Sequence, residues 1–414
     1  MKILVLHNYY QQSGGEDVVL EQEKSLLESR GNQVQVLALA NESISSRRDQ
    51  FKTALNTIYS PSSKARVAAE IGSFKPDVVH VHNFFPLLSP SVYYACRNAG
   101  IPVVQTLHNF RLVCPNAMLF RQGKPCELCL DKVVPWPGAL HACYRGSRAA
   151  SMLVASMLSV HRFWGTWNSN VEAYIALTQF SREKLIAGGL PADRLFLKPN
   201  FIFPDPGKRD GRNGSETNDG YALFVGRLAP EKGITTLLSA WNRVEGSKEL
   251  KIVGTGPLEE SLRISHFSSS GVEFLGQQTP ESVLKYMNSA KFLVLPSEWY
   301  EGFPRVIVEA FAKGLPVLAS RLGSMAELVE DQRTGILFRP GDTQDLAEKI
   351  EWMFTHPVQL AQMSEAARRE FEGKYTADRN YKMLMDIYKH ASDQARRQQR
   401  SREDARINIL AVPQ

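Results

Sequence analysis

LFVGRLAPEKG, residues 223–233, is an apolar run that stops at Gly226 and delivers two cations, Arg227 and Lys232, into the loop behind it. The run shows no polar alternation, as expected of a strand covered on both faces of a parallel sheet. Further apolar runs near 250–253, 272–275, 292–295, 316–319 and 336–338 recur at intervals long enough to hold a helix. That is the rhythm of a βα series, and it predicts a doubly wound domain over residues 221–375.

Upstream, residues 2–8, 33–40, 77–82 and 102–108 repeat the pattern, with KILVL, DVVHV and IPVVQTL as its plainest runs. They predict a first parallel-sheet domain over 1–203. Between the two lies 204–220, PDPGKRDGRNGSETNDG, with almost nothing apolar to bury, which reads as a linker or exposed loop. Open α/β sheets bind ligands at the carboxyl ends of their strands, so two Rossmann-like domains facing one another would form a cleft between them. Residues 376–397 have helical spacing and are expected to pack back on the core. Residues 398–414 read as a flexible, solvated tail.

Hydrophobic residues at 43% and charged residues at 22% of 414 positions exclude disordered, collagen-like and disulfide-scaffold classes. No apolar run is long enough for a membrane-spanning helix, and the short start MKILVLHNYY reads as a strand with no export signal, so a cytoplasmic protein is expected. The net charge of +6 is uneven: residues 1–200 hold 21 Lys+Arg against 14 Asp+Glu, and the remainder is nearly balanced. Such an excess fits an anionic membrane surface, with scattered surface charge as the plain alternative; no nucleic-acid partner is expected.

Arg227 and Lys232 share one strand end, where preorganised cations stabilise the charge that develops on a departing diphosphate without a divalent metal. The plain alternative is a capping role for the following helix. EGFPRVIVEA, residues 301–310, places Glu301 before a helix expected to begin near Pro304, and Glu309 within it. The free N–H groups of that helix offer a phosphate site, and the two carboxylates suit sugar hydroxyls and a ribose diol. A solvated helix face would account for the same pair. In KIVGTGP, Gly254 and Gly256 allow close backbone approach to a ligand or form a tight turn, but Glu259 stands where a dinucleotide fingerprint needs its third glycine.

Four of the five cysteines, Cys114, Cys126, Cys129 and Cys143, fall in a Pro- and Trp-rich insertion over 112–145. Their number fits a tetrahedral four-thiolate site, so a structural zinc is expected, with unligated or redox-paired thiols as the alternative. RGSRAASMLVASMLSVHRFWGTW, residues 145–167, joins three arginines to a long apolar run and two tryptophans. It suits either a membrane interface or a buried helix.

Taken in order, VGRL…EKG, GTGP, FLG and E-G-F-P…E-A across 223–340 resemble the nucleotide-binding domain of family 4 glycosyltransferases, retaining enzymes of the two-domain GT-B fold that use no metal. The resemblance implies that Arg227 and Lys232 meet the donor diphosphate, Glu301 the transferred sugar and Glu309 the ribose. It further implies that Gly302 and Phe303 approach the sugar or phosphates, and that Phe274 and Leu275 lie against the base. In the first domain it is looser: Gly14 and Gly15 sit where the family brings a glycine-rich loop to the donor phosphate, and His108 where it turns a histidine to the donor sugar. His80, on the same strand face as His82, reads as a buried structural histidine. The implied reaction moves a sugar from a nucleotide diphosphate to an acceptor, a lipid-linked or growing surface polysaccharide being expected. The departing phosphate oxygen takes the acceptor proton, and no side-chain nucleophile is apparent. Two alternatives stay open: an epimerase of the same fold, and a non-catalytic nucleotide-sugar-binding subunit of an assembly complex.

Overall fold

The computed structural model describes residues 1–9, 14–40, 56–209, 220–265 and 271–410. The chain divides into two compact units, one made of Met1–Ala117, Leu128–Pro199 and Asn380–Gln414, the other of Met118–Glu127 and Asn200–Arg379.

The first unit carries β1 (Lys2–Tyr9), β2 (Gln33–Ala40), β3 (Val78–Val81), β4 (Val103–Leu107), β7 (Ala173–Ala176) and β8 (Leu195–Leu197) in the parallel order β2-β1-β3-β4-β7-β8. β1 lies between two neighbours, and Ile3, Leu4 and Leu6 on it are wholly buried, which is why KILVL shows no alternation. The strand pattern missed β7 and β8. AYIA is half alanine, and LFL is a three-residue edge strand.

The second unit holds β9 (Tyr221–Val225), β10 (Leu250–Val253), β11 (Val272–Gly276), β12 (Ala290–Leu295), β13 (Val317–Ser320) and β14 (Gly335–Phe338), ordered β11-β10-β9-β12-β13-β14 and all parallel. Side chains alternate between two cores. Tyr221 and Leu223 pack with Ile307 and Phe311 on one face, Ala222 and Phe224 with Ile234 and Leu237 on the other. A small antiparallel hairpin, β5 (Phe120–Arg121) with β6 (Lys124–Pro125), comes from the Cys-rich insertion and belongs to this unit.

The stretch read as a linker is packed where it is described. Arg368 donates to both oxygens of Asp205 at 2.9 and 2.7 Å, and Arg209 donates to the Ala290 carbonyl at 2.6 Å. Its remainder, 210–219, lies outside the described residues. The segment read as a helix followed by a tail is one helix, Ala377–Leu410, because nothing from 398 to 410 is a glycine or proline that would stop it; residues 411–414 are outside the description. Among the described residues no helix is long and apolar enough to cross a membrane.

Candidate functional site

In the second sheet the strand order reverses between β9 and β12, the position where α/β sheets open a crevice at their carboxyl ends. The loops leaving these two strands carry the chemistry. After β9 the chain makes a short 3-10 turn, Pro230–Lys232, and Gly233 takes the left-handed conformation at φ 65° before the helix Ile234–Trp241. A Cβ on Gly233 would lie 1.9 Å from the Pro296 carbonyl oxygen, so glycine lets this loop press against the end of β12. The Glu231 carbonyl accepts from Glu298 N–H at 2.9 Å and completes the seam.

Lys232 and Glu301 meet across it. The ammonium donates to Glu301 Oε1 at 2.7 Å, Ser297 Oγ donates to the same oxygen at 2.7 Å, and the Lys232 Nζ stands 5.3 Å from the Trp299 ring centre. Glu301 is buried, fixed by two donors, with its carboxylate at the strand ends. Next to it Tyr300 hydrogen-bonds Glu127 of the hairpin segment; burial, with the Glu127 carboxylate, pushes its phenol up to about 12. Arg227 stands half exposed and pairs with Glu231 four residues on. Glu309 accepts from Arg305 at 3.1 Å within the helix Arg305–Ala312, which begins directly after Pro304.

The glycines read as ligand contacts have a local reason as well. A Cβ on Gly254, at φ 133°, would meet Gly226 O at 2.0 Å, and one on Gly256 would meet Leu228 O at 2.5 Å. The Gly254–Gly256 loop is thereby zipped to the loop that carries Arg227, through Leu228 N–H to Thr255 O at 2.9 Å and Leu258 N–H to Leu228 O at 3.0 Å. Gly302 accepts from Ser324 Oγ at 3.2 Å, and Phe303 packs edge-on to Tyr375. Phe274 lies under the Arg263 guanidinium, and the Leu275 carbonyl accepts from Gln278 at 2.7 Å.

In the first sheet the order reverses between β1 and β3. Gly14 caps the helix Gly15–Ser29, its N–H donating to Asp17 Oδ2 at 2.9 Å, and Asp17 Oδ1 also meets His7 Nε2 at 2.8 Å. Behind these lies a buried polar chain that sequence reading missed. Glu23 Oε2 accepts from Lys198 at 3.1 Å, while Glu23 Oε1 faces His80 Nδ1 at 3.1 Å and His82 Nε2 at 3.2 Å. His82 Nδ1 in turn lies 3.1 Å from His108 Nε2. His80 also touches Tyr388 and Thr106, each at 2.8 Å. Burial would raise the Glu23 carboxyl, but the Lys198 ammonium and the two imidazoles hold it well below the usual carboxylate range. Burial lowers His82 to about 4 and His108 well below its ordinary value, so both rings are neutral at pH 7. Glu16 accepts from Asn83 at 3.0 Å; burial and its neighbour Asp17 raise it to about 8, against the pull of Asn83 and Arg111. One signal was available: Glu23 falls in the buried stripe of Val19, Leu20, Leu26 and Leu27, where a carboxylate is out of place unless paired.

A Glycosyltransferase Family 4 model matches residues 13–205, and a model described as Glycosyl transferases group 1 matches 219–356. The D-inositol 3-phosphate glycosyltransferase of Rhodococcus erythropolis is 31% identical over 332 residues, 76% of this chain and 68% of its own. The chain belongs to glycosyltransferase family 4. The chain is also 25% identical to the sulfoquinovosyl transferase SQD2 of Arabidopsis thaliana, across 78% of this chain and 57% of that one. It spans about half the length of several curated relatives that it matches. Among solved structures, Anabaena HepE in complex with UDP and glucose superposes with a TM-score of 0.66 at 20% identity, covering 93% of this chain and 98% of that one. Sucrose-phosphate synthase of Thermosynechococcus elongatus gives 0.71 at 19% identity, covering 94% and 98%. These likenesses establish the GT-B fold.

Two groups of metal-capable side chains occur among the described residues, Glu23 with His80 and His82, and His7 with Glu16 and Asp17. The first is held together by the hydrogen bonds given above. None of the five cysteines belongs to either group, so the structure adds nothing to the four-thiolate reading of Cys114, Cys126, Cys129 and Cys143.

Proposed function

We propose that this glycosyltransferase moves a sugar from a nucleoside diphosphate to a hydroxyl of a glycan or lipid-linked acceptor, with retention of configuration and without a catalytic metal. The observation that carries the reading is the Lys232–Glu301 pair at the reversal of the second sheet, on loops whose sequences match the family in order. In the reaction the anomeric carbon–phosphate oxygen bond breaks while the acceptor oxygen bonds to that carbon, and the acceptor proton passes to the departing phosphate. Arg227 and Lys232 stabilise the charge on the leaving group. Glu301 accepts from sugar hydroxyls and Glu309 from the ribose, while Gly14, Gly15 and His108 meet the donor phosphate and sugar.

The test is nucleotide release and sugar transfer from a panel of UDP-, GDP- and ADP-sugars with EDTA present. UDP-glucose comes first, since UDP and glucose are what HepE was crystallised with. Loss of release in both Arg227→Ala and Glu309→Ala supports the donor site. Binding of a donor without release, whatever acceptor is offered, favours a non-catalytic binding subunit. Stoichiometric zinc by elemental analysis decides the separate proposal for the four cysteines.

A peripheral seat on an anionic membrane is part of the same reading. The helix Arg148–Phe163 buries Val154, Met157 and Leu158 but leaves Met152 60% and Phe163 88% exposed on its other side. Beside it Val133 and Trp136 are also exposed, and Arg145 and Arg148 add charge of the fitting sign. Co-sedimentation with vesicles containing anionic lipid, and its absence with neutral lipid, is the expected result; no sedimentation with either removes this part.

A further inference from the structure

We propose that Glu23 and His82 form a tautomer relay that fixes His108 with its proton on Nε2 and a bare Nδ1 acceptor, making Glu23 and His82 positioning residues for the sugar-facing histidine. The inference rests on the proposed role of His108, and it follows from counting donors along the chain of contacts.

Glu23 is an ionised, acceptor-only carboxylate, buried and paired with Lys198 through Oε2. Its other oxygen lies 3.2 Å from His82 Nε2, so that nitrogen carries a hydrogen; a bare nitrogen there would set two lone pairs against each other between two buried side chains. A neutral imidazole has one N–H, which leaves His82 Nδ1 as an acceptor. His108 Nε2 lies 3.1 Å from it and is therefore the donor. The two ring centroids lie 5.2 Å apart with planes 26° from parallel, a spacing compatible with that N–H···N contact. His108 is neutral too, so its Nδ1 is bare. It can accept a hydrogen bond from a sugar hydroxyl and cannot protonate a leaving group. Lys198 and His80 hold the far end: Lys198 donates to Glu23 Oε2, and His80 Nδ1 lies 3.1 Å from Glu23 Oε1 in a ring pinned by Thr106 and Tyr388.

The experiment is long-range nitrogen–proton NMR on chain labelled at histidine nitrogen, with His108 assigned by its disappearance in His108→Gln. Wild type is expected to show His108 protonated at Nε2 alone. His82→Gln keeps the relay, because an amide donates from nitrogen to Glu23 and accepts at oxygen from His108, so the His108 pattern persists. His82→Phe removes the acceptor while filling the space, and His108 then divides between tautomers, with kcat falling roughly tenfold and the donor KM little changed. A His108 protonated at Nδ1 in wild type, or one unaltered in His82→Phe, overturns the proposal. The wild-type spectrum decides even if His82→Phe does not fold. The proposed function fails separately: if His108→Ala leaves donor turnover intact, the sugar contact is lost while the NMR result on the relay stands.

Discussion

At Glu16 a partly buried carboxyl lies beside Asp17, and the sign of its effect on stability follows. The folded chain holds this proton to about pH 8, whereas an unfolded glutamate releases it near 4.5, so the native state binds more protons between those values. The stability it contributes in acid is lost as pH rises through that window. Glu16→Gln is expected to flatten this decline and to raise stability at pH 8 by on the order of 2 kcal/mol, read by denaturant unfolding at pH 5 and pH 8. His82 works in the opposite sense. With a folded pKa of about 4 against 6.5 unfolded, it stays neutral while the unfolded chain takes up a proton, and stability falls as pH drops from 6.5 toward 4. His82→Gln, which has nothing to titrate there, should lessen the acid loss in the same melts. Neither residue was legible as a titrating group: the sequence places both on elements, but desolvation depends on what the rest of the first unit lays over them.

At the scale of elements the decisive contacts are made by backbone where side chains are missing. Gly233 sits at φ 65° with the Pro296 carbonyl 1.9 Å from where a Cβ would be; Gly246 has φ 83° and nothing within 4 Å. Gly246→Ala therefore measures conformational strain alone, about 1 kcal/mol. Gly233→Ala adds a clash that pushes the loop off β12 and carries Lys232 away from Glu301. It is expected to cost roughly 2–4 kcal/mol and most of the donor turnover, with unfolding curves and nucleotide release as the two readings. Ten of the twelve parallel strands were legible because buried parallel strands are continuous apolar runs, and the helix after Pro304 because proline marks a first turn. The motif EKG was legible as a loop bearing a cation, but the reason for its glycine was not. That reason is a carbonyl more than 60 residues away in sequence.

At the scale of the molecule the chain returns to complete a unit it had left. Residues from Asn380 onward belong with the first sheet. Asn380 accepts from Lys198 at 3.1 Å and donates to the Pro199 carbonyl at 2.7 Å, and Tyr388 is buried against His80 at 2.8 Å. Helical spacing over 376–397 suggested a segment packing back on the core, but not onto what, since the partners that make Tyr388 a core residue lie some 300 positions earlier. A chain ending at Arg379 would expose Leu384, Ile387 and Tyr388 contacts to water and leave buried Lys198 with one partner fewer, a cost of several kcal/mol against a marginal total. It is expected to be recovered mainly as aggregate. Tyr388→Phe keeps the ring and removes only the hydroxyl, so it should fold with a loss of about 1–2 kcal/mol in denaturant melts. If the shortened chain instead stays soluble and melts as the full one does, the C-terminal helix is not part of the first core. A Tyr388→Phe chain as stable as wild type would show that the His80 contact contributes nothing to it.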